Sequence, residues 1–317
     1  MADPVIGDRA HDAPADGLWL IDASLYVFRA WQGVPAEHDP QGRESQSVRG
    51  FARWLAELLR NARPTLCACT FDSHDGRGTR RRLNPAYKAD RKPISPILFE
   101  QIERCRGVAR AFGLAVHTGG ELEADDLIGH FATLAHAAGH PVTIVSGDKD
   151  LAQYLDGDDR WWDVGRRDAL DVRAVTRRFG VRPTQIADWL ALAGDASDGI
   201  AGIPGVGGAT AARLLKRYAN LDALFAEAPA VARMGFRGAP QVAALLPAWE
   251  ARVRASRVLT GPLLDDSLPD SLDTLRVTMR HRTDIEQALI ALGITAEAAR
   301  RHARQVSRTP APDDSTR

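Results

Sequence analysis

Nine carboxylates stand where ordinary folding would not put them: Asp22, Asp72, Glu123, Asp125, Asp126, Asp148, Asp150, Asp195 and Asp198. Asp22 ends the apolar run 18–21, Asp72 ends 66–71, and Asp148 closes 142–147. A buried strand that ends on an acid delivers it to the crevice at the carboxyl edge of a sheet, where α/β proteins place their ligands. Asp150 follows Asp148 by two residues at a strand-to-helix turn, and Glu123, Asp125 and Asp126 crowd the start of one amphipathic helix. Asp195 and Asp198 occupy a Gly-flanked loop. Acids gathered in one crevice repel and raise one another's pKa unless cations neutralise them. The set therefore points to divalent metal.

Oxygen-only donors favour hard cations, so Mg²⁺ or Mn²⁺ suits them better than zinc. Two ions held ~4 Å apart can activate a water and stabilise the leaving oxygen of an in-line phosphoryl displacement. Any one acidic pair is weak testimony, because acids are common in the first turn of a helix for dipole reasons. Four acid-bearing segments, three of them after expected strands, carry far more. His136 and His140 are four apart but have no third ligand near in sequence, and are expected at a helix surface.

The formal net charge is zero, yet the charges are unevenly placed. Residues 77–92 hold Arg77, Arg80, Arg81, Arg82, Lys88, Arg91 and Lys92 against Asp90 alone. An acidic pocket beside a basic stretch suits an enzyme that holds metal and a polyanion together. The bland alternative is a solvated charged loop. No run approaches the roughly 20 apolar residues of a membrane span. Residues 1–16 have no apolar h-region and are expected to be a disordered leader rather than a signal peptide. Cys67, Cys69 and Cys105 suggest neither disulfides nor zinc, so a reducing, cytoplasmic setting is expected.

The elements that must position these groups alternate in the βαβ manner up to about residue 165. Strands are expected at 18–21, 66–71, 114–117 and 142–145, with an edge strand within 155–164 where Trp161 and Trp162 serve the core. Helices are expected from Ser47, from Pro96 to Gly113, and from Leu127 to Gly139. Short-looped helices follow at 172–179, 184–193, 208–218 and 221–227, and 229–262 is helical in part. A final strand at 275–279 and helix at 285–292 complete the pattern. The tail 305–317 is expected to be disordered.

Gly202–Ile203–Pro204–Gly205–Val206–Gly207–Gly208 lies between two expected helices. It lacks the Lys of a Walker loop and the preceding strand of a dinucleotide turn. A hairpin of this kind lets backbone N–H groups and a helix N-terminus approach a phosphate, which positions nucleic acid without reading its sequence. Arg213, Lys216 and Arg217 on the next helix agree with that.

These blocks together resemble the 5′ nuclease superfamily, which includes the 5′–3′ exonuclease domain of bacterial DNA polymerase I, phage 5′ exonucleases and flap endonucleases. The likeness rests on Glu123–Ala124–Asp125–Asp126, Ser146–Gly147–Asp148–Lys149–Asp150, Gly194–Asp195–Ala196–Ser197–Asp198 and Gly202–Ile203–Pro204–Gly205–Val206–Gly207. It runs from about residue 18 to 225 and extends toward 295.

The resemblance implies an α/β fold: a PIN-like central sheet flanked by helices, a helical arch and a helix-hairpin-helix DNA-binding subdomain. It implies a catalytic domain at 17–165 with the arch at about 73–97, the helical subdomain at 166–262, and a C-terminal strand and helix within 263–304. By resemblance Asp22, Asp72, Glu123, Asp125, Asp148 and Asp150 hold catalytic metals, Asp198 adds an acid from the hairpin side, and Asp126 and Asp195 are outer members. Tyr87, Lys88 and Arg91 match the basic arch motif, where Lys88 and Arg91 could neutralise charge growing on the scissile phosphate. Arg80, Arg81, Arg82, Gly202, Gly205, Gly207, Arg213 and Lys216 are the expected DNA contacts. The hairpin would bind K⁺ through backbone carbonyls.

Three departures stand out. Gly199 replaces the family's usual Asn, Gly208–Ala209 replaces the common Pro–Lys, and the arch segment is more basic and less regular. The expected function is a Mg²⁺-dependent 5′–3′ exonuclease or flap endonuclease, with Mn²⁺ able to substitute and two ions acting together. Its substrates would be DNA with a 5′ flap, 5′ overhang, gap or recessed end, in replication (Okazaki fragment processing) or repair. A monomer without a polymerase domain is the expected form. The alternatives are a non-catalytic junction-binding paralogue and a PIN-type ribonuclease.

Overall fold

The computed structural model describes residues 17–33, 35–73, 78–165, 168–263, 265 and 268–307. The expected leader 1–16, Arg77 and the tail beyond 307 lie outside them.

Five parallel strands form the core sheet: β1 (Leu18–Asp22), β2 (Leu66–Phe71), β3 (Ala115–Thr118), β4 (Val142–Val145) and β5 (Arg160–Trp162). A sixth, β6 (Leu170–Asp171), pairs antiparallel with β5. The order is β3-β2-β1-β4-β5-β6. Every residue of β1, β2 and β4 is buried, as strands covered on both faces must be. The chain winds outward from β1 to β3, then returns to β4 on the other side of β1. That reversal opens a crevice between the carboxyl ends of β1 and β4, the place where open α/β sheets bind ligands.

Helices cover both faces. On one face lie α1 (Ala23–Gly33), α2 (Gln46–Ala62) and, beyond the short α3 (Thr79–Leu83), α4 (Pro96–Ala111). Trp19, Ile21, Cys67, Cys69 and Phe71 point to them. Leu18, Leu20, Ala68 and Ile144 point to the other face, onto Leu127, Ile128 and Phe131 of α5 (Ala124–Ala137). That second core continues into a helical region of α6 (Val172–Phe179), α7 (Ile186–Ala193), α8 (Gly208–Arg217), α9 (Leu221–Ala226) and α10 (Ala239–Thr260). Between α7 and α8, the small ladder β7 (Gly194–Asp195) and β8 (Ile200–Ala201) closes the acidic loop. The chain then returns to the first face as α11 (Arg282–Ala291) and α12 (Ala296–Val306). Among the described residues no helix is long and apolar enough to cross a membrane.

Several expectations need correction. Residues 275–279 do not form a strand: Arg276 makes one bridge to Leu66, and the Val277 N–H donates to the Thr65 carbonyl at 2.9 Å. The β3 register begins at Ala68, so only the short edge before it is open to pairing. The edge strand of 155–164 shrinks to β5, while Trp161 and Trp162 are buried on opposite sides of the sheet. Helices α1 and α12 add to the expected set, and α12 carries regular structure through Val306. Of the arch segment, the described part holds α3 and then turns.

Candidate metal centre

The acids converge as the strand ends dictate. Asp22 leaves β1 with 7% exposure. Its neighbours Asp72, after β2, and Asp148, after β4, both raise its pKa. Burial is the largest cause and the Ser146 hydroxyl opposes it, so the carboxyl is pushed up to about 7. Asp125, one residue into α5, is raised well above the carboxylate range by burial, then by Asp148, Asp22 and Glu123. Asp150 is pushed to about 7 by burial and then by Asp148. Asp148 is thus the common neighbour whose charge raises Asp22, Asp125 and Asp150. Such a set is costly without added positive charge.

The supporting side chains are local and specific. Ser146 Oγ donates to Asp22 Oδ2 at 2.8 Å and accepts the Asp148 N–H at 3.0 Å, so one hydroxyl orients both acids. Asp72 accepts the Ala124 N–H at 3.0 Å, which docks β2 against the start of α5. Arg106, on α4, donates to the Asp72 carbonyl at 2.9 Å. Ser146 and Lys149 flank acids in sequence and could have been foreseen. Nothing local in sequence sets Arg106 apart from other helix arginines.

Part of the cluster is neutralised by the chain itself. Lys88 Nζ lies 2.8 Å from Glu123 and 3.8 Å from Asp198, while Arg91 contacts Asp198 at 2.9 Å. Burial opposes a charge on Lys88, but Glu123, Asp125 and Asp198 outweigh it and raise its pKa. The Tyr87 hydroxyl bridges Glu123 at 2.9 Å and Asp198 at 3.1 Å. Lys149 Nζ reaches Asp195 at 2.5 Å. Burial alone would raise Asp195, but Lys149 and Ser197 lower it.

Whether a cation fits follows from the donors left over. Among the described residues no three acids are drawn into a ready-made cage. The buried Oδ1 of Asp150 meets Lys149 Nζ at 3.1 Å, an ion pair outside hydrogen-bond geometry. All donors around Asp22, Asp72, Asp125, Asp148 and Asp150 are oxygens, the chemistry hard divalent ions take. These residues fit such a group.

Two expectations fail on geometry. Asp126 is fully buried and turned away from the other acids, with both oxygens bonded to Arg80 at 2.5 and 2.7 Å. Its oxygens also accept the Glu123 and Leu263 N–H groups, which leaves no face for a cation. Arg80, 5% exposed, is correspondingly not available to DNA. Adjacent helical residues point about 100° apart, so Asp125 and Asp126 cannot both face one site.

The other expected DNA contacts divide as well. Arg81 donates to the Tyr87 and Lys88 carbonyls, and Arg82 pairs with Glu121. Arg213 and Lys216 are exposed on α8. Gly207 caps the α8 N-terminus, and Gly205 has φ +78 with open space around it. Gly202 packs so closely that an added Cβ would meet Ala193 backbone at 2.2 Å, so its role is to seat the hairpin.

Residues 17–180 match the 5′–3′ exonuclease N-terminal resolvase-like domain, and residues 181–283 match the 5′–3′ exonuclease C-terminal SAM fold. DNA polymerase I of Rhizobium leguminosarum is 38% identical over 222 residues, covering 67% of this chain and 22% of that relative. DNA polymerase I of Pseudomonas aeruginosa is 35% identical over 276 residues, covering 87% and 30%. The chain spans less than a third of the length of these curated relatives. T5 5′-exonuclease, solved with bound zinc, aligns with TM-score 0.62 at 16% identity over 91% of this chain and 97% of that one. The catalytic core of Rad2 in complex with DNA substrate aligns at 0.57 and 15% identity, over 95% of each. At such identities the two structures establish a common fold. With both domain families matched in order across residues 17–283, the chain belongs to the 5′–3′ exonuclease family.

Proposed function

We propose that the protein is a structure-selective 5′–3′ exonuclease and 5′ flap endonuclease that hydrolyses DNA phosphodiesters with two Mg²⁺ ions, Mn²⁺ being able to replace them. The observation that carries this reading is the convergence of Asp22 and Asp148 on the one Ser146 hydroxyl, with Asp22, Asp125 and Asp150 all raised by burial and by the Asp148 charge, which bound cations would relieve. T5 5′-exonuclease solved with divalent zinc, and T5 D15 flap endonuclease solved as a pseudo-enzyme-product complex with DNA and metal ions, support it.

Asp22, Asp72, Asp125, Asp148 and Asp150 would hold the ions, with Glu123 and Asp198 beside them. When bound, divalent ions supply Lewis acidity for in-line attack of water on the phosphate. Lys88 and Arg91 offer positive charge to the scissile phosphate as its charge grows, and Tyr87 holds Glu123 and Asp198 in place. The α8 N-terminus, with Arg213 and Lys216, would hold duplex phosphates, and the 202–207 hairpin would take K⁺ on its carbonyls. We place the protein as a monomer in the cytoplasm, at flapped, gapped or recessed DNA in replication or repair.

The test is a 5′-flapped duplex labelled at either end, incubated with Mg²⁺, Mn²⁺ or EDTA, with Asp148→Asn as control and an RNA flap in parallel. Metal-dependent products near the junction, absent with Asp148→Asn, support the reading. Tight binding without cleavage would favour a junction-binding paralogue, and preference for RNA would favour a ribonuclease.

A further inference from the structure

Three segments far apart in sequence meet at one buried guanidinium. Arg80 Nη1 and Nη2 pair two-pronged with Asp126 at 2.5 and 2.7 Å. Nε donates to the Leu259 carbonyl and Nη2 to the Gly261 carbonyl, both at 2.8 Å, at the C-terminal end of α10. A cation there also meets the negative end of the α10 dipole. Asp126 in turn accepts the Glu123 N–H at 3.0 Å and the Leu263 N–H at 2.8 Å. The foot of the basic segment, the start of α5 and the end of α10 are therefore joined through one ion pair.

What this pair touches matters for chemistry. Glu123, whose N–H it anchors, is the carboxylate that receives both Tyr87 and Lys88, and Arg80 Nη1 lies 3.6 Å from that same carboxylate. Arg80 also lies in the first turn of the short α3 that leads into Tyr87 and Lys88. Asp125, adjacent to Asp126, faces the acid cluster. A planar fork with fixed donors can hold such an orientation where a lysine ammonium cannot.

We infer that Arg80 and Asp126 form a positioning pair that sets Glu123, Asp125 and the Tyr87–Lys88 segment against the metal-binding acids and ties them to the end of α10. Neither residue contacts DNA or metal. The inference rests on the nuclease reading above. It changes the role of two residues whose charge and place in sequence suggest direct contact.

The test compares wild type with Arg80→Lys, which keeps the charge and loses the fork. Four quantities are read: the single-turnover cleavage rate in Mg²⁺, DNA affinity in Ca²⁺ as a function of salt, Mn²⁺ binding to the DNA-free protein by electron paramagnetic resonance, and thermal unfolding. We expect the rate to fall about 100-fold, the scale of a displacement near 1 Å at reacting groups. Mn²⁺ affinity should fall several-fold, while DNA affinity changes by less than about threefold and its salt slope is unchanged.

A salt slope reduced by about one unit would make Arg80 a phosphate contact and overturn the inference. So would an unchanged rate per folded molecule, which would leave the pair only a structural role. If Arg80→Lys does not fold, Asp126→Asn is read in the same way. Wild type that fails to cleave defeats the nuclease reading. In that case the Mn²⁺ measurement still decides the pair, and unchanged Mn²⁺ affinity in the variant overturns it.

Discussion

The Lys88 ammonium lies 2.8 Å from the Glu123 carboxylate, a cation of the chain placed at the rim of acids that repel one another. Lys88 adopts φ +50, an uncommon left-handed conformation for a side-chain-bearing residue. Its N–H is tied to the Asp198 carbonyl at 3.0 Å, which holds that conformation in place. Backbone strain of this kind persists only where surrounding contacts enforce it. The basic segment is thus clamped onto the acidic loop, with its charged side chain aimed at the cluster.

Lys88→Ala should therefore act mainly on the chemical step. Single-turnover cleavage of flapped DNA is expected to fall about 10²–10³-fold, the range for losing one strong electrostatic stabiliser. DNA affinity should change little. A loss confined to binding would refute the role.

Asp148→Asn should abolish cleavage while retaining most DNA affinity. Asp148 is the common neighbour of Asp22, Asp125 and Asp150, so neutralising it removes charge where a cation is most needed. Turnover within about tenfold of wild type would sink the assignment, because the effect should exceed about 10³-fold.

The raised acids also predict a pH dependence of stability. Asp22 and Asp150 stand at about 7 in the folded chain, against about 3.9 unfolded. Their protonated forms favour folding, so that contribution is complete below about pH 4 and is lost as pH rises through 7. In EDTA, wild type should lose stability relative to Asp22→Asn between about pH 5.5 and pH 8, on the order of a few kcal/mol. Mg²⁺ should raise the wild-type melting temperature more at the higher pH. Paired thermal melts check this, and a relative gain with pH in EDTA would contradict it.

Gly199 offers a structural test of the clamp. It has φ +69, and an added Cβ would meet the Ala86 carbonyl oxygen at 2.5 Å. Gly199→Asn accepts the φ but not the contact, so it should cost about 1–3 kcal/mol by overpacking and slow cleavage by shifting Lys88. Gly205→Asn, at φ +78 in open space, should cost less than about 1 kcal/mol. Denaturant unfolding and single-turnover rates separate the two, and equal costs would remove the packing argument.

Much of this centre could be recognised in the chain itself. Apolar runs ending on Asp22, Asp72 and Asp148 announce strand ends, because consecutive buried residues suit a sheet covered on both faces. The hairpin at 202–207 is marked by Gly202, where close packing admits no Cβ, and by Gly205 at positive φ. Helix α1 was less visible, since its helix-weak Tyr26 and Val27 are held by burial rather than propensity. The apolar residues at 275–279 suggested a strand, but only a short stretch of β2 edge is open to them.

Sequence by itself determined the fold class, the family and the supply of acids and bases, because these follow from residue type, periodicity and spacing along the chain. Tertiary structure alone decided which of them face one another. Asp125 and Asp126 are neighbours in sequence, yet one joins the acids and the other is enclosed by Arg80. Arg80, Arg81 and Arg82 likewise end in a buried pair, on backbone carbonyls and at Glu121. Successive helical side chains diverge by about 100°, so their partners are set by what packs against each direction: here the end of α10, brought alongside from more than a hundred residues away.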